Sequence, residues 1–212
     1  MNKEPVSSRE ALYRFLGHIY LMEVDAELLA SLKKLRFPAF EPQDEADQEL
    51  LEGFSLMQKY IDGASEGDLD DLAADYAKTF LAAGDATGRA AFPFEAFYTG
   101  GGGIVEKKLE AAYLSRGLVP DPAKYRVPFD HLGLMLEYMG ELCGESAQTC
   151  DVMRKDLFNE QLAFFEARLS GWTEEFAADV LRCAGTDFYR GAAKITDAFI
   201  KKEAAFLKDL AG

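Results

Sequence analysis

Helical periodicity runs along nearly the whole chain while the alternation of half-buried strands is missing, and this constrains the fold more than any other feature. Leu12, Phe15, Leu16, Ile19 and Tyr20 share one helical face, and Ser7 with Glu10 has the form of a capping box ahead of them. Asp25 suits the cap of a second helix carrying Leu28, Leu29 and Leu32. That helix must end before Phe37-Pro38, because the residue preceding a proline avoids helical geometry. Glu41-Pro42 reads as the opening of a third, with Leu50, Leu51, Phe54, Met57 and Ile61 on a single stripe. A fourth is expected from Asp68 through Leu72, Tyr76 and Phe80 to Leu81, stopped by Gly84 to Gly88.

Two irregular stretches follow. Arg89 to Gly103 is aromatic without a period and ends in four consecutive glycines, Gly100 to Gly103, so a loop with large apolar side chains is expected there. A short helix from Ile104 to Ser115 leads to the second stretch, Gly117 to Phe129, which holds three prolines. The next helix is expected to start at Asp130 as N-cap, with Phe129 and Leu134 placed as a hydrophobic staple. Helices over Thr149 to Leu169, Thr173 to Ala184 and Phe188 to Lys208 complete the chain, and no internal repeat is visible. The expectation is an all-α bundle of about 8–10 helices in one domain over residues 1–212, with 1–116 and 117–212 as its lobes if it is divided.

Composition narrows the partners. A chain of 212 residues fits one domain with a full core. The net charge of −14, from 37 acidic and 23 basic residues, repels a phosphate backbone and argues against nucleic acid. The same field suits a cationic partner, although acidic surfaces also serve plain solubility. Cys143, Cys150 and Cys183 lack CxxC spacing and read as reduced, mostly buried thiols. Met1 to Arg9 lacks a basic start followed by an apolar run, and no stretch reaches about 18 apolar residues, so neither export nor membrane spanning is expected.

Catalytic patterns are missing as well. The two histidines, His18 and His131, stand far apart and no HExxH or ExxH motif occurs, so neither a metal nor a cofactor is expected. Gly103 is followed by Ile-Val-Glu-Lys-Lys, which is not a Walker A loop, and no GxSxG elbow is present. An enzyme is therefore not expected. Asp130-His131 is the one pair that looks chemical. It reads equally as a helix cap with its first-turn neighbour or as a binding or catalytic pair.

Four stretches in order carry a resemblance: Asp75-Tyr76 to Phe80-Leu81, Pro93-Phe94-Glu95-Ala96-Phe97-Tyr98, Pro128-Phe129-Asp130-His131 with Leu136-Glu137-Tyr138-Met139, and Phe188-Tyr189. Together they resemble the TorD/DmsD/NarJ family of cytoplasmic chaperones for molybdenum-containing redox enzymes. Val127 and Ala96 stand where the family commonly has an acidic residue and a serine, and Gln161 and Phe165 where it often has His and Trp. The resemblance implies a helical cytoplasmic chaperone that binds the twin-arginine signal peptide of a molybdenum-containing oxidoreductase precursor. It places that contact around Tyr76, Phe80, Glu95, Tyr98, Asp130 and His131. A cationic peptide start would meet the carboxylates of Glu95 and Asp130, and its apolar middle would meet the aromatics. A NarJ-like chaperone for a reductase that is not exported fits the same residues. The long irregular connections allow a monomer or a domain-swapped dimer.

Overall fold

The structure is a computed structural model that describes residues 4–81, 90–118 and 126–211. Among the described residues there are ten α-helices: α1 (Glu4–Leu21), α2 (Ala26–Leu32), α3 (Glu45–Gly63), α4 (Leu69–Tyr76), α5 (Glu95–Thr99), α6 (Gly102–Ser115), α7 (Leu132–Gln148), α8 (Asp151–Arg168), α9 (Thr173–Cys183) and α10 (Asp187–Ala211). There is no strand among them, only one isolated antiparallel bridge between Phe94 and His131. The all-helical fold is the expected one. No described helix is long and apolar enough to cross a membrane.

Several helix starts follow the available side-chain acceptors. Asp25 caps α2 as expected, accepting the Leu28 N–H at 2.8 Å. By contrast, α1 begins at Glu4, which puts Ser7 inside the helix rather than at its cap. α3 begins at Glu45 and not at Glu41-Pro42: the Asp44 carboxylate accepts the Asp47 N–H at 2.7 Å, and Asp47 reaches back to the Gln43 N–H at 2.9 Å.

The expected fourth helix is three pieces. A 3₁₀ turn at Glu66–Asp68 is fixed by Asp68, whose carboxylate accepts both the N–H and the hydroxyl of Ser65. α4 follows and then widens into a π-helical turn, Ala77–Leu81. Its expected stop at Gly84 to Gly88 lies outside the described residues, as does most of Gly117 to Phe129. The aromatic stretch expected as loop contains α5, a single turn closed by Gly100 in the left-handed conformation that a residue with a Cβ disfavours (φ +70°).

The chain clusters into two units, each assembled from separated stretches. The first unit takes the described residues up to Leu21, those of Pro93–Trp172 and those from Glu203 on. Its centre is the pair α1 and α7, which approach backbone to backbone. A Cβ on Gly133 would stand 2.5 Å from Leu21 Cγ and 2.8 Å from the Gly17 carbonyl oxygen. Around this pair lies a buried charge network. Arg9 donates to Glu203 at 2.7 Å through both Nε and Nη2, and to Gln161 Oε1 at 2.8 Å, while the Tyr13 hydroxyl donates to Glu203 at 2.8 Å. Removing either charge would strand the other in an apolar interior, so the pair fixes the register of α1 against α8 and the end of α10.

The second unit takes the described residues of Met22–Phe92 and Thr173–Lys202. α3 and α10 touch at Gly53 and Gly191, where a Cβ on Gly191 would stand 2.8 Å from the Gly53 carbonyl oxygen. Asp75, at the end of α4, accepts from the Gly185 N–H at 2.7 Å, the Thr186 N–H at 2.8 Å and the Thr186 hydroxyl at 2.6 Å. A buried carboxylate from one helix thereby satisfies the open donors at the entry to α10.

Candidate functional site

The motifs around Pro93 and Pro128 meet at the Phe94–His131 bridge, in the first unit. The Leu132 N–H donates to the Pro93 carbonyl at 2.7 Å and the Glu95 N–H to the Asp130 carbonyl at 3.0 Å. The two segments are therefore paired like a minimal sheet, and each launches a helix. Contrary to the expectation from sequence, Asp130 does not cap α7, whose N-cap is His131. Its carboxylate accepts the Ala96 N–H at 3.1 Å and so caps α5, 34 residues upstream.

His131 is the N-cap of α7. Its Nδ1 accepts the Gly133 N–H at 3.0 Å, which fixes the proton on Nε2 and leaves the ring uncharged. Burial disfavours the imidazolium and lowers the pKa to about 3. The ring packs edge-on against Phe94 with centroids 5.2 Å apart.

Glu95 opens α5 with only 4% of its surface exposed. Its Oε1 accepts from Arg168 Nη1 at 3.0 Å, while its Oε2 is buried without a hydrogen-bond partner. Burial raises its pKa, the Arg168 guanidinium pulls it back down, and the Asp130 charge adds to the rise. The carboxylate thus holds one guanidinium of its own chain and keeps an unused acceptor.

Beside it stands an aromatic group. Tyr98 stacks on Trp172 with centroids 5.3 Å apart and planes 23° from parallel, and the Trp172 indole N–H donates to the Arg168 carbonyl at 2.6 Å. Phe97 lies edge-on to Tyr98 and is 48% exposed. Tyr98, Trp172, Arg168 and Glu95 are thereby linked in one chain of contacts on α5 and the end of α8.

Tyr76 and Phe80 lie in the second unit. Both are buried in a ring cluster with Tyr189 and Phe176, with centroids of 5.1 Å between Tyr76 and Phe80 and 5.4 Å between Phe80 and Tyr189. Burial pushes the Tyr76 phenol up to about 12. The Tyr189 hydroxyl in that cluster is buried and without a partner.

Of the six residues singled out from sequence, Glu95, Asp130 and His131 form one contact network, Tyr98 adjoins it through Trp172 and Arg168, and Tyr76 and Phe80 belong to the core of the other unit. Sequence reasoning missed Arg168 and Trp172. The chain's one tryptophan, four residues after an arginine and just before the start of the next helix, was the available signal.

Comparisons with known proteins agree on one family. The profile described as nitrate reductase delta subunit matches residues 43–178, more than half of the chain. The Chaperone protein TorD of Shewanella oneidensis is 26% identical over 211 residues, covering 95% of this chain and 91% of that protein. The protein of the same name from Vibrio vulnificus is 24% identical over 208 residues, 94% of each chain. That from Photobacterium profundum is 27% identical over 141 residues, 65% of this chain and 64% of the relative. No solved structure matches the chain. With an all-helical fold and the paired Pro93 and Pro128 motifs in place, the chain belongs to the nitrate reductase delta subunit family, among relatives named as TorD chaperones.

Proposed function

We propose that the protein is a cytoplasmic chaperone that binds the N-terminal twin-arginine signal peptide of a molybdenum-cofactor oxidoreductase and assists the precursor's maturation before export. The family relation supports the chaperone role. The observation that carries the peptide reading is Glu95, a buried carboxylate that already seats the guanidinium of Arg168 and has a second oxygen unused. A peptide arginine takes that acceptor, and the exposed face of Phe97 with the Tyr98–Trp172 stack receives the apolar residues that follow. Asp130 and His131 hold α5 and α7 in register and thereby aim Glu95. Tyr76 and Phe80 act through the core of the second unit.

Calorimetric titration with signal peptides from molybdoenzymes of the same genome tests this, each paired with a version whose two arginines are replaced by glutamine. Saturable binding lost on arginine replacement, and weakened about tenfold or more by Glu95→Gln, is the expected result. Absence of binding to every peptide overturns it.

The family match favours one second reading, an assembly chaperone for a respiratory reductase that is not exported. In that case an N-terminal segment of the reductase lacking the arginine pair binds, and the twin-arginine peptides do not.

A further inference from the structure

A separate cleft of about 560 Å³ opens in the first unit between the end of α7 and the start of α8, lined by Arg116, Glu145, Met153, Asp156, Leu157 and Glu160 among others. That size accommodates a few side chains of a peptide. None of these residues belongs to the Glu95 network.

Its chemistry is one-sided. Arg116, which closes α6, is clamped between two helices: Nη1 donates to Glu145 on α7 at 2.5 Å, Nε donates to Glu160 on α8 at 2.6 Å, and Nη2 also meets Glu160. The Tyr138 hydroxyl steadies Glu160 at 3.1 Å. The cleft is thus built to hold a guanidinium, and one carboxylate remains over: Asp156 has no ion pair or hydrogen bond among the described residues. Beside these charges Met153, 59% exposed, lines the cleft with Leu157 one turn further along α8. Arg154 ties the turn between α7 and α8 together, donating to the Ser146 carbonyl at 2.9 Å and to the Thr149 carbonyl at 2.7 Å.

We propose that this cleft is a second docking site, which takes a short basic and apolar segment of a partner polypeptide. Its cation rests on Asp156 and the exposed edge of Glu145, and its apolar side chain covers Met153 and Leu157. Charge complementarity selects this occupant: three carboxylates face one arginine, on a chain whose net charge is −14. Arg116 keeps the cleft open and prepaid against the repulsion of Glu145 and Glu160.

The test is two-dimensional NMR of the full isotope-labelled chain, titrated with acetyl-Gly-Arg-Leu-Leu-Ser-Gly-amide and with the same peptide carrying Glu in place of Arg. Saturable shifts at Arg116 and residues 145–160 are expected with the first peptide alone, separate from those at residues 94–99 that the Glu95 site gives, and Asp156→Lys should weaken the former about tenfold and leave the latter unchanged. The shifts at Arg116 and residues 145–160 should be unchanged by Asp70→Lys, a charge reversal at an exposed position of α4 in the other unit. Shifts only at residues 94–99, no saturable shifts at all, or equal weakening by both reversals would overturn the proposal. So would concentration-dependent self-association in sedimentation that Asp156→Lys abolishes, which would give the cleft to a second copy of the chain.

Discussion

Asp130 and His131 carry their weight as caps of two different helices, and this divides the effects of replacing them. Asp130→Asn keeps an acceptor for the Ala96 N–H and should leave thermal stability within about 0.5 kcal/mol, whereas Asp130→Ala removes it and should cost about 1–2 kcal/mol. If Asn and Ala unfold alike, the carboxylate does not cap α5. His131 adds a pH signature. Its folded pKa of about 3 lies below the unfolded value of about 6.5, so protons bind the unfolded chain first as pH falls. The stability it supplies is complete above pH 6.5 and drains away toward pH 3, a loss of about 2–3 kcal/mol by pH 4.5. Glu95 has the opposite sign, since its raised folded pKa penalises the ionised form at higher pH. His131→Asn retains a cap acceptor without titrating. Urea unfolding from pH 7 to 4.5 should therefore show the wild type losing about 2–3 kcal/mol more than this variant, and parallel losses would mean that His131 is not buried neutral. The sequence made both residues visible but assigned Asp130 to the wrong helix. A five-residue helix is too short to display a period, so nothing in the chain announced α5 as the one needing a cap.

At the scale of elements, the apolar stripes predict which segments are helical, while several starts go astray, one of them where a second acceptor competes. Asp44 displaces the expected start at Glu41-Pro42 because its carboxylate and that of Asp47 satisfy donors on both sides of the entry. The Asp75-Tyr76 motif reads from sequence as part of a binding region, yet Asp75 ties α4 to the start of α10, a pairing 110 residues apart that no local pattern encodes. Asp75→Ala leaves the Gly185 and Thr186 N–H groups without their acceptor and should destabilise by about 3 kcal/mol, with Asp75→Asn intermediate. Denaturant unfolding checks it, and a loss under about 1 kcal/mol would mean water replaces the carboxylate. Gly133 makes a parallel case in the first unit. Its missing Cβ admits the Gly17 carbonyl, so Gly133→Ala must push α1 from α7 and should cost about 1–3 kcal/mol in the same measurement.

Over the whole molecule, the acidic excess was legible from composition alone, while the make-up of each unit from separated stretches was not, because it depends on which distant stretches pack together. In the proposed binding of a cationic peptide, charge and burial divide the work. A field from −14 charges steers encounter over a distance that salt shortens, from a Debye length of about 30 Å at 0.01 M to about 8 Å at 0.15 M. In the proposed binding mode the peptide cation meets the buried carboxylate of Glu95, where salt screens little. Raising the salt across that range should therefore slow association about tenfold or more and change dissociation less than about twofold. Trp172 is the only tryptophan and stacks on Tyr98 beside Arg168, so stopped-flow fluorescence of the unmodified chain reads both rates. Were the salt effect to fall on dissociation instead, the peptide cation would rest on exposed carboxylates, and Glu95 would be no more than the internal partner of Arg168.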